Sequence, residues 1–446
     1  MEKKTISEFL SNEYKEFAMY VIEGRSIPSV IDGFKPSQRK IIHVANQIWK
    51  TGNEKVLKIF QLGGKVASDC YYHHGDKSLS DAIINMAQKF KNNLPLLIED
   101  GQFGTIYSKT PGAARYIGTK LSKNFRLVYK DFDLLEYKKE EGESIEPFYF
   151  LPIIPMVLLN GSPGVAVGFS TTILNRNSLD IVDACINYLK GKDISNISPK
   201  LNDFKGTYRN DEENHKKWYI RGCFERVNTS TVKITEITPS MTYEKYETIL
   251  DTLVDKKSIV SWDDNSKEGV NYTIKFTRQD LAKYDDEQLV KLLKLEESET
   301  ENYNTLDENG KLKLFESSQD IIKYFVDFRL NYYIKRKQFN LDKLNRELKI
   351  LQNKGKFIKS IIDNKTIINN VSKDRIIEQI TLMNLDKIDD SYDYLLRMPI
   401  YSLTIELFNK LKDDFTDKKK EIKEMEELQP KDMYLTDLNE LKKSLK

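Results

Sequence analysis

The sequence is poor in the residues on which several common kinds of protein depend. Its three cysteines, Cys70, Cys185 and Cys223, lie far apart among 446 residues and form no CxxC pair, which argues against a disulfide scaffold or a zinc site. It has no apolar run of 18 residues and no signal-peptide core at its N-terminus, which predicts a cytoplasmic protein with no membrane contact. It also lacks a Walker A sequence and an HExxH motif, which argues against an ATP site or a zinc protease in this chain.

The overall charge imbalance is small, but the basic residues are unevenly distributed. The net charge is +2, whereas residues 1–130 carry 20 Lys and Arg against 12 Asp and Glu, and the remainder carries 50 against 56. Residues 101–130 contain six basic side chains and no acidic one. A basic N-terminal third predicts a polyanion partner. Composition alone is equally compatible with a solvated lysine surface.

Three short helices are predicted in the basic third. A helix over 36–50 begins with proline, which a first turn accommodates, and its apolar residues recur every 3.6 residues. A second is predicted over 54–62, ending at Gly63 and Gly64, and a third over 78–90. Short helices with glycine turns in basic surroundings are typical of a helix-turn-helix or winged-helix DNA-binding module. A plain helical core would show the same periodicity.

The middle of the chain predicts an α+β region. Residues 147–173 combine prolines, glycines and apolar runs, which indicates a buried, turn-rich segment. Residues 217–238 and 270–277 alternate between apolar and polar side chains, as strands do. The acidic stretch 296–309 is predicted to be a loop.

From about residue 318 the sequence predicts helices. Ile334, Leu341 and Leu348 repeat every seven residues, and a second apolar stripe runs from 408 to 425. This periodicity is typical of a coiled coil. A short helical segment, 395–400, lies between the two stripes and would form the tip of an antiparallel arm.

The pair Arg115-Tyr116 ends a glycine-punctuated stretch that begins at Gly101. A tyrosine hydroxyl can attack a phosphodiester and hold the DNA end covalently, and arginine is the side chain best shaped to grip that phosphate. Alone, the pair could be chance among 24 tyrosines. His73 and His74 form a second unusual pair in a chain with four histidines. They precede the third helix, where imidazoles can contact a phosphate, although loop histidines need no such role.

Five segments in order resemble the signature of the type IIA DNA topoisomerases. They are Gly24–Lys40, the Tyr-His-His-Gly-Asp run over 72–76, Gly-Gln-Phe-Gly-Thr over 101–105, Ala-Ala-Arg-Tyr over 113–116, and the Pro-Ile-Ile-Pro-Met run from 152. Weaker likeness extends through the helical arm, and the chain most resembles the medium subunit of split phage topoisomerases. The resemblance implies an α+β multidomain fold. Its expected parts are an N-terminal arm (1–24), a winged-helix DNA cleavage domain (25–145), an α/β tower domain (146–315), and a coiled-coil arm with a dimerisation tip (316–446).

The resemblance also implies roles for individual residues. Tyr116 would be the nucleophile that links to a DNA 5′ end, and Arg115 would stabilise charge on the phosphorus. Arg25 and His74 would contact the scissile phosphate region. Ile173 would be the apolar wedge that enters the duplex. The other expected DNA contacts are Lys35, Arg39, Lys40, His73, Lys77 and Lys123.

The same resemblance implies partners. With no metal or ATPase signature in this chain, Mg²⁺ and ATP are expected on a partner subunit, and the chain itself is expected to form a homodimer through the coiled-coil tip. The expected activity is ATP-dependent relaxation and decatenation of double-stranded DNA, in the host cytoplasm if the chain is phage-encoded. The alternative is a non-enzymatic DNA-binding scaffold. A tyrosine recombinase is disfavoured because no His-x-x-Arg box accompanies the tyrosine.

Overall fold

A computed structural model describes residues 5–51, 55–267, 269–399 and 403–446. The chain divides into two compact units, Met1–Arg329 with Asp437–Lys446, and Leu330–Thr436. Elements of both classes are present, so the α+β expectation is confirmed at the level of a mixed fold. Among the described residues, no helix combines the length and the apolar character needed to cross a membrane.

Helices predominate over strands in the described part of residues 1–130. The helices are α1 (Ile6–Phe9), α2 (Lys15–Val21), α3 (Pro36–Ile48), α4 (Ile59–Asp69), α5 (Asp76–Ala87) and α6 (Lys123–Val128), with π-helical turns at Leu10–Tyr14 and Ile22–Ser26. The strands are β1 (Leu57–Lys58), β2 (Leu97–Asp100), β3 (Gly118–Leu121) and β4 (Tyr129–Lys130). Helices α3, α4 and α5 pack against one another, and β1, β3 and β2 form a small antiparallel sheet.

The middle of the first unit is rich in strands. They are β5 (Tyr137–Glu140), β6 (Glu143–Pro147), β7 (Leu151–Pro152), β8 (Ser162–Val165), β9 (Ser170–Ile173), β10 (Thr207–Asn210), β11 (Lys217–Arg221), β12 (Cys223–Asn228), β13 (Thr231–Glu236), β14 (Ser261–Asp264), β15 (Tyr272–Lys275), β16 (Glu296–Thr300), β17 (Tyr303–Leu306) and β18 (Leu312–Phe315). A 3-10 turn at Phe132–Leu134 and helices α7 (Met156–Leu159), α8 (Ser178–Leu189), α9 (Tyr243–Asp255), α10 (Arg278–Leu281) and α11 (Asp286–Leu292) lie between them.

These strands form antiparallel sheets in the orders β10-β11-β16 and β12-β13-β15-β14, together with the hairpins β5-β6, β8-β9 and β17-β18 and the pair β4-β7. The four-stranded sheet covers a core that includes Val232, Ile234, Tyr272 and Ile274. The alternation predicted for 217–238 and 270–277 is confirmed, and so is the turn-rich character of 147–173.

Two sequence expectations in this unit are wrong. Helix α4 begins at Ile59 and continues through Gly63 and Gly64, because its buried face packs against α5: a Cβ on Gly63 would be in contact with Ile83 at 3.9 Å. The predicted start at Glu54 lies outside the described residues. The acidic stretch 296–309 contains β16 and β17 rather than a loop, because these strands pair with β11 and β18 and arginines from other segments form ion pairs with two of its carboxylates.

The second unit is helical, as predicted. It is built from α12 (Ser318–Ile362), α13 (Lys373–Leu382), α14 (Asp393–Leu396), α15 (Ile405–Glu427) and α16 (Pro430–Ser444), of which α12 and α16 also contribute to the first unit. Helices α12 and α15 run antiparallel, since Lys337 donates to the Glu426 carbonyl at 2.7 Å while Lys418 pairs with Glu347 at 3.1 Å. A small core around Phe357 joins α12, α13 and α14. Ile400 of the predicted tip lies outside the described residues.

Candidate active site

The loop that ends in Tyr116 joins the antiparallel strands β2 and β3. Two glycines shape its first half, since Gly101 and Gly104 have φ angles of 107° and 83°, in the left-handed region that favours glycine. The Thr105 amide donates to the Ser108 carbonyl oxygen at 2.8 Å, and a Cβ on Gly104 would lie 2.8 Å from the same oxygen. A tight turn that only glycine permits therefore starts the loop.

The backbone at Tyr116 is held in place, whereas its side chain is exposed. The Tyr116 amide donates to the Ala113 carbonyl at 2.8 Å, and the Ile59 amide of α4 donates to the Ile117 carbonyl at 3.1 Å. The Lys58 ammonium donates to the Tyr116 carbonyl at 2.7 Å. The Tyr116 side chain is nevertheless 71% exposed. Helix α4 therefore positions the phenol without covering it.

Arg115 lies on the same turn and is also exposed. Within the described ranges, neither the Arg115 guanidinium nor the Tyr116 hydroxyl has a side-chain hydrogen bond or an ion pair. Both groups are thus available to a ligand. A guanidinium beside a phenol can grip a phosphate and favour the charge that develops during attack on it.

A second tyrosine anchors the loop to the four-stranded sheet. The buried Tyr107 hydroxyl donates to the Glu236 carboxylate and is also 2.8 Å from the Ile237 carbonyl oxygen. Burial and the hydrogen bond to Glu236 raise the pKa of Tyr107, so this phenol stays protonated. Nearby, the Lys109 ammonium donates to the Pro239 carbonyl at 2.6 Å. No motif pointed to this anchor, because Tyr107 and Glu236 are distant along the chain.

The adjacent histidines point to different partners. His74 is half-buried, with its Nε2 3.0 Å from the Tyr20 hydroxyl and its ring edge-on to Tyr72 at 5.4 Å. His73 is exposed, with its Nε2 4.0 Å from a Glu140 carboxylate oxygen. The N-terminal helical segment is thus in direct contact with the imidazole of His74.

Arg25 is exposed and lies on the π-helical turn that follows α2. That turn lies against hairpin β8-β9, because a Cβ on Gly164 would come within 2.3 Å of the Ser26 carbonyl oxygen. The Lys35 ammonium reaches the same hairpin and donates to the Pro163 carbonyl at 2.6 Å. The structure thus gathers Arg25, Lys35 and the strand of Ile173. In the described part of the chain, no hydrogen bond links the Tyr116 hydroxyl to Arg25 or His74.

Arg39 and Lys40, two of the expected DNA contacts, have partners within the protein. Arg39 is buried and grips Asp32 through two hydrogen bonds, of 2.6 and 3.0 Å. The Lys40 ammonium donates to the Cys70 carbonyl at 2.6 Å and to Glu146 at 2.9 Å. Both cations make internal contacts in this structure, and a DNA phosphate would compete with these partners for them. Lys77 and Lys123, by contrast, are exposed, as expected for residues that meet a ligand.

Ile173 is buried, with only 3% of its surface exposed. It ends β9 and pairs with Ser162 of β8. Gly161 permits this arrangement: its φ is 64°, and a Cβ there would lie 2.6 Å from the Ile173 carbonyl oxygen. A wedge role would therefore require the side chain to leave its present position.

The described ranges contain no group of three or more His, Cys, Asp and Glu side chains placed to hold a metal ion. The groups of this site that can act chemically include the exposed phenol, the arginines and the imidazoles. They suit phosphate recognition and nucleophilic attack on phosphorus.

Comparison with known proteins agrees with this geometry. The family that comprises the A subunits of DNA gyrase and topoisomerase IV matches residues 25–442. The medium subunit of the DNA topoisomerase of Enterobacteria phage T4 is 32% identical, in an alignment that covers 99% of this chain and all of that protein. DNA topoisomerase 2 of Plasmodium falciparum is 34% identical over 98% of this chain.

A solved structure gives the same result. The DNA-binding, cleavage and re-ligation domain of Plasmodium falciparum topoisomerase II superposes with a TM-score of 0.85 at 32% identity, covering 98% of this chain and 64% of that one. The chain spans about a third of the length of the eukaryotic relatives, 34% for the Plasmodium enzyme. The predicted resemblance is confirmed: the chain belongs to the family of DNA gyrase and topoisomerase IV A subunits, within the type IIA DNA topoisomerases.

Proposed function

We propose that this chain is the DNA breakage and religation subunit of an ATP-dependent type IIA topoisomerase. The observation that carries the proposal is the Tyr116 hydroxyl, exposed and unpartnered in the described structure, on a turn whose backbone is fixed by α4 and whose neighbour is Arg115. Family membership supports the same activity.

In the proposed reaction, the Tyr116 oxygen attacks a backbone phosphorus as its proton leaves. A P–OTyr bond forms and the P–O3′ bond breaks, which leaves the 5′ phosphate on the tyrosine. The departing 3′ oxygen takes up a proton in place of the one that the phenol lost and becomes a 3′ hydroxyl. A free phenol has a pKa near 10, so roughly 0.1% is ionised at pH 7. The Arg115 cation favours both the phenolate and the charged phosphorane. The phosphotyrosyl link conserves the energy of the broken phosphodiester bond, so religation can proceed as the reverse of cleavage.

We propose Arg25 and His74 as further groups at the scissile phosphate, and Lys35, His73, Lys77 and Lys123 as contacts to the flanking backbone. Exposure of Lys77 and Lys123 supports this assignment. Ile173 is proposed as the wedge, on the condition that hairpin β8-β9 releases it when DNA bends. Unstacking a base step costs a few kcal/mol, which wider wrapping of the duplex offsets.

The domain assignment remains a proposal with the boundaries given above: an arm over 1–24, a winged-helix domain over 25–145, a tower over 146–315 and a coiled-coil arm over 316–446. Mutual packing of α3, α4 and α5 supports the winged-helix assignment, and the antiparallel course of α12 and α15 supports the coiled-coil assignment. Homodimerisation at the tip of the arm is part of the same proposal.

We further propose that a partner subunit binds Mg²⁺ and ATP. The phage T4 relative is named as a medium subunit and aligns over its whole length, which supports an assembly of several subunits. The metal would supply charge stabilisation at the scissile phosphate, whereas the residues of this chain supply the nucleophile and hold the DNA.

The test is a cleavage assay on the chain combined with an ATPase and metal-binding partner, plasmid, Mg²⁺ and ATP, stopped with detergent. We expect protein linked to DNA 5′ ends, and none with Tyr116→Phe, while that variant still binds DNA. Tyr137→Phe, at a tyrosine that is 41% exposed, is the matched control and should cleave normally. Absence of any 5′ adduct from the unmodified chain would leave the scaffold alternative, and a 3′ adduct would contradict the proposal.

A further inference from the structure

A cavity of about 610 Å³ opens in the first unit, among the start of α3, the end of α5, hairpin β8-β9 and β16. Its wall is mainly apolar, and six of the apolar residues are Phe34, Met86, Phe90, Ile106, Ile173 and Ile220. Its volume lies within the range of roughly 300–1,000 Å³ that is usual for small-molecule sites. Such sites combine an apolar wall with a few placed polar groups.

Three lysines supply the polar groups. Lys35 and Lys109 are half-buried and donate to the carbonyls of Pro163 and Pro239, both at 2.6 Å. Lys91, at the exposed rim, donates to the Asn85 side-chain oxygen at 2.5 Å. All of these acceptors are neutral, and none of the three ammonium groups forms an ion pair with a carboxylate of the described residues.

The lowered pKa values of the lysines show the energetic cost of burying their ammonium groups. Burial lowers the pKa of Lys35, and no other charged group shifts it. Partial burial likewise lowers the pKa of Lys91, and the nearby Lys109 lowers it further, whereas Asp81 opposes the shift. A buried ammonium without an opposite charge is poorly compensated, so an anion in the cavity would be stabilised by these groups.

Two carboxylates also line the cavity, and they limit where an anion can lie. They are Glu297 and Glu299, and Glu297 accepts a hydrogen bond from Ser240. Burial raises the pKa of Glu299, and the negative charge of Glu297 raises it further. Burial lowers the pKa of Lys109, and Glu297 opposes that shift. Lys109 therefore lies near the carboxylates of the cavity wall. Lys35 is the ammonium free of any carboxylate influence, and it is the best contact for an acidic group.

We propose that this cavity binds a small organic anion with an apolar body, whose acidic group contacts Lys35 and whose body packs against Phe90 and Ile173. The complex joins a charge-assisted hydrogen bond to burial of an apolar surface, and each contributes to affinity. Because Ile173 lines the wall, an occupant would hold it in its buried position. This consequence rests on the proposed function of Ile173 as a wedge, whereas binding itself does not.

Binding is tested with 8-anilinonaphthalene-1-sulfonate, which has an apolar body and one negative charge, and with N-phenyl-1-naphthylamine, which has the same body without the charge. Fluorescence titration of the full chain should give one saturable site for the anionic probe. Lys35→Met should weaken the anionic probe by at least about tenfold, the loss that corresponds to removing one charged contact, and should leave the neutral probe unchanged. Lys190→Met, at an exposed lysine that does not line the cavity, is the control and should change neither.

Equal effects of Lys35→Met on both probes, or none on the anionic probe, would overturn the proposal. If Lys35→Met does not fold by circular dichroism, Ile173→Ala replaces it and should weaken both probes by removing apolar contact, and unchanged binding would count against the site. Because Lys35 is also proposed as a contact to the DNA backbone, a short DNA duplex should displace the anionic probe from the Tyr116→Phe protein, with a steep salt dependence. An anionic probe that the bound duplex does not displace would overturn the proposed contact between its acidic group and Lys35.

The functional consequence has a separate readout. In the cleavage assay, a saturating concentration of the anionic probe should reduce the amount of 5′ adduct. The neutral probe at equal occupancy should reduce it to the same extent, because either occupant would hold Ile173 in its buried position. Inhibition by the anion alone would contradict the wedge explanation but not the site. Failure of cleavage altogether would refute the proposed function and leave the binding result intact.

Discussion

Two groups of arginines in the same unit have opposite environments. Arg176 is fully buried and holds Glu301 through hydrogen bonds of 2.9 and 2.7 Å, and Arg39 grips Asp32 in the same bidentate way. Arg25 and Arg115 have no ion pair within the described ranges, and Arg115 is exposed. The first two have their charge satisfied by the protein, whereas the second two can have it satisfied by a ligand.

The difference shows how this fold separates rigidity from reactivity. Glu301 also accepts from the Trp218 indole at 3.0 Å and from the Leu174 amide at 2.9 Å, so one buried carboxylate joins three segments beside Ile173. At Tyr116, by contrast, the hydrogen bonds that fix the turn all involve its backbone. The side chains of Arg115 and Tyr116 are free of structural duties, and changes to them should affect chemistry without affecting stability.

The largest effect on stability is expected at Arg176. Arg176→Met removes the buried partner of Glu301 and should lower the free energy of unfolding by about 3–5 kcal/mol, the usual cost of leaving one member of a buried pair unpaired. Urea denaturation measures it. The double variant Arg176→Met, Glu301→Gln removes the unpaired charge and should recover part of the loss. If the single variant is as stable as the native chain, the contrast between the two arginine groups fails.

Arg115 should show the reverse pattern. Arg115→Met removes a cation beside the phosphorus and should slow formation of the 5′ adduct by roughly 10²–10³-fold, as for loss of one group that stabilises a developing oxyanion. The urea midpoint should stay unchanged because the side chain is exposed. Arg278→Met, at the start of a surface helix, is the control for loss of one cation. A stability loss equal to that of Arg176→Met would show that Arg115 is structural.

Local signals in the sequence were sufficient for several elements. The periodicity over 36–50 predicted α3, and the glycines of the stretch that begins at Gly101 indicated a loop that ends in Arg115 and Tyr116. Prediction failed where the cause is distant in sequence. The acidic segment 296–309 resembles a loop in isolation, whereas in the folded chain β16 pairs with β11, and Arg176 and Arg221 form ion pairs with Glu301 and Glu296.

The same limit applies to the site. A basic residue in a signature, such as Arg39, gives no indication of whether a buried carboxylate pairs with it. Asp32 does so, seven residues away. The anchor between Tyr107 and Glu236 was not foreseen, since neither residue belongs to a motif. Partners across 129 residues become evident only in the folded chain.

A smaller effect on stability is expected at the hydrogen bond between Tyr107 and Glu236. This bond joins the buried core to the loop that carries the exposed Tyr116. Tyr107→Phe leaves the buried Glu236 without its hydroxyl donor and should lower the free energy of unfolding by about 1–3 kcal/mol. It should also reduce the amount of 5′ adduct, because the loop that carries Tyr116 loses a fixed point. The double variant Tyr107→Phe, Glu236→Gln should restore stability more than cleavage. Equal recovery of both would mean that Tyr107 has no positioning role.

The smallest effect is a pH dependence of stability at His43, a buried residue of α3 whose side chain contacts Gln47 at 2.9 Å. Burial lowers the pKa of His43 below its ordinary value of 6.5, so the unfolded chain takes up a proton more readily than the folded one. Stability from this residue is therefore complete above about pH 6.5 and is lost as pH falls from there toward the lowered pKa. Urea midpoints of the native chain and His43→Gln should diverge least at pH 5.5 and most at pH 7.5.

Because Tyr116 and Arg115 are exposed, substitutions there should leave this pH profile unaltered. A profile that changed with Arg115→Met would show that the turn of Tyr116 and helix α3 are energetically coupled.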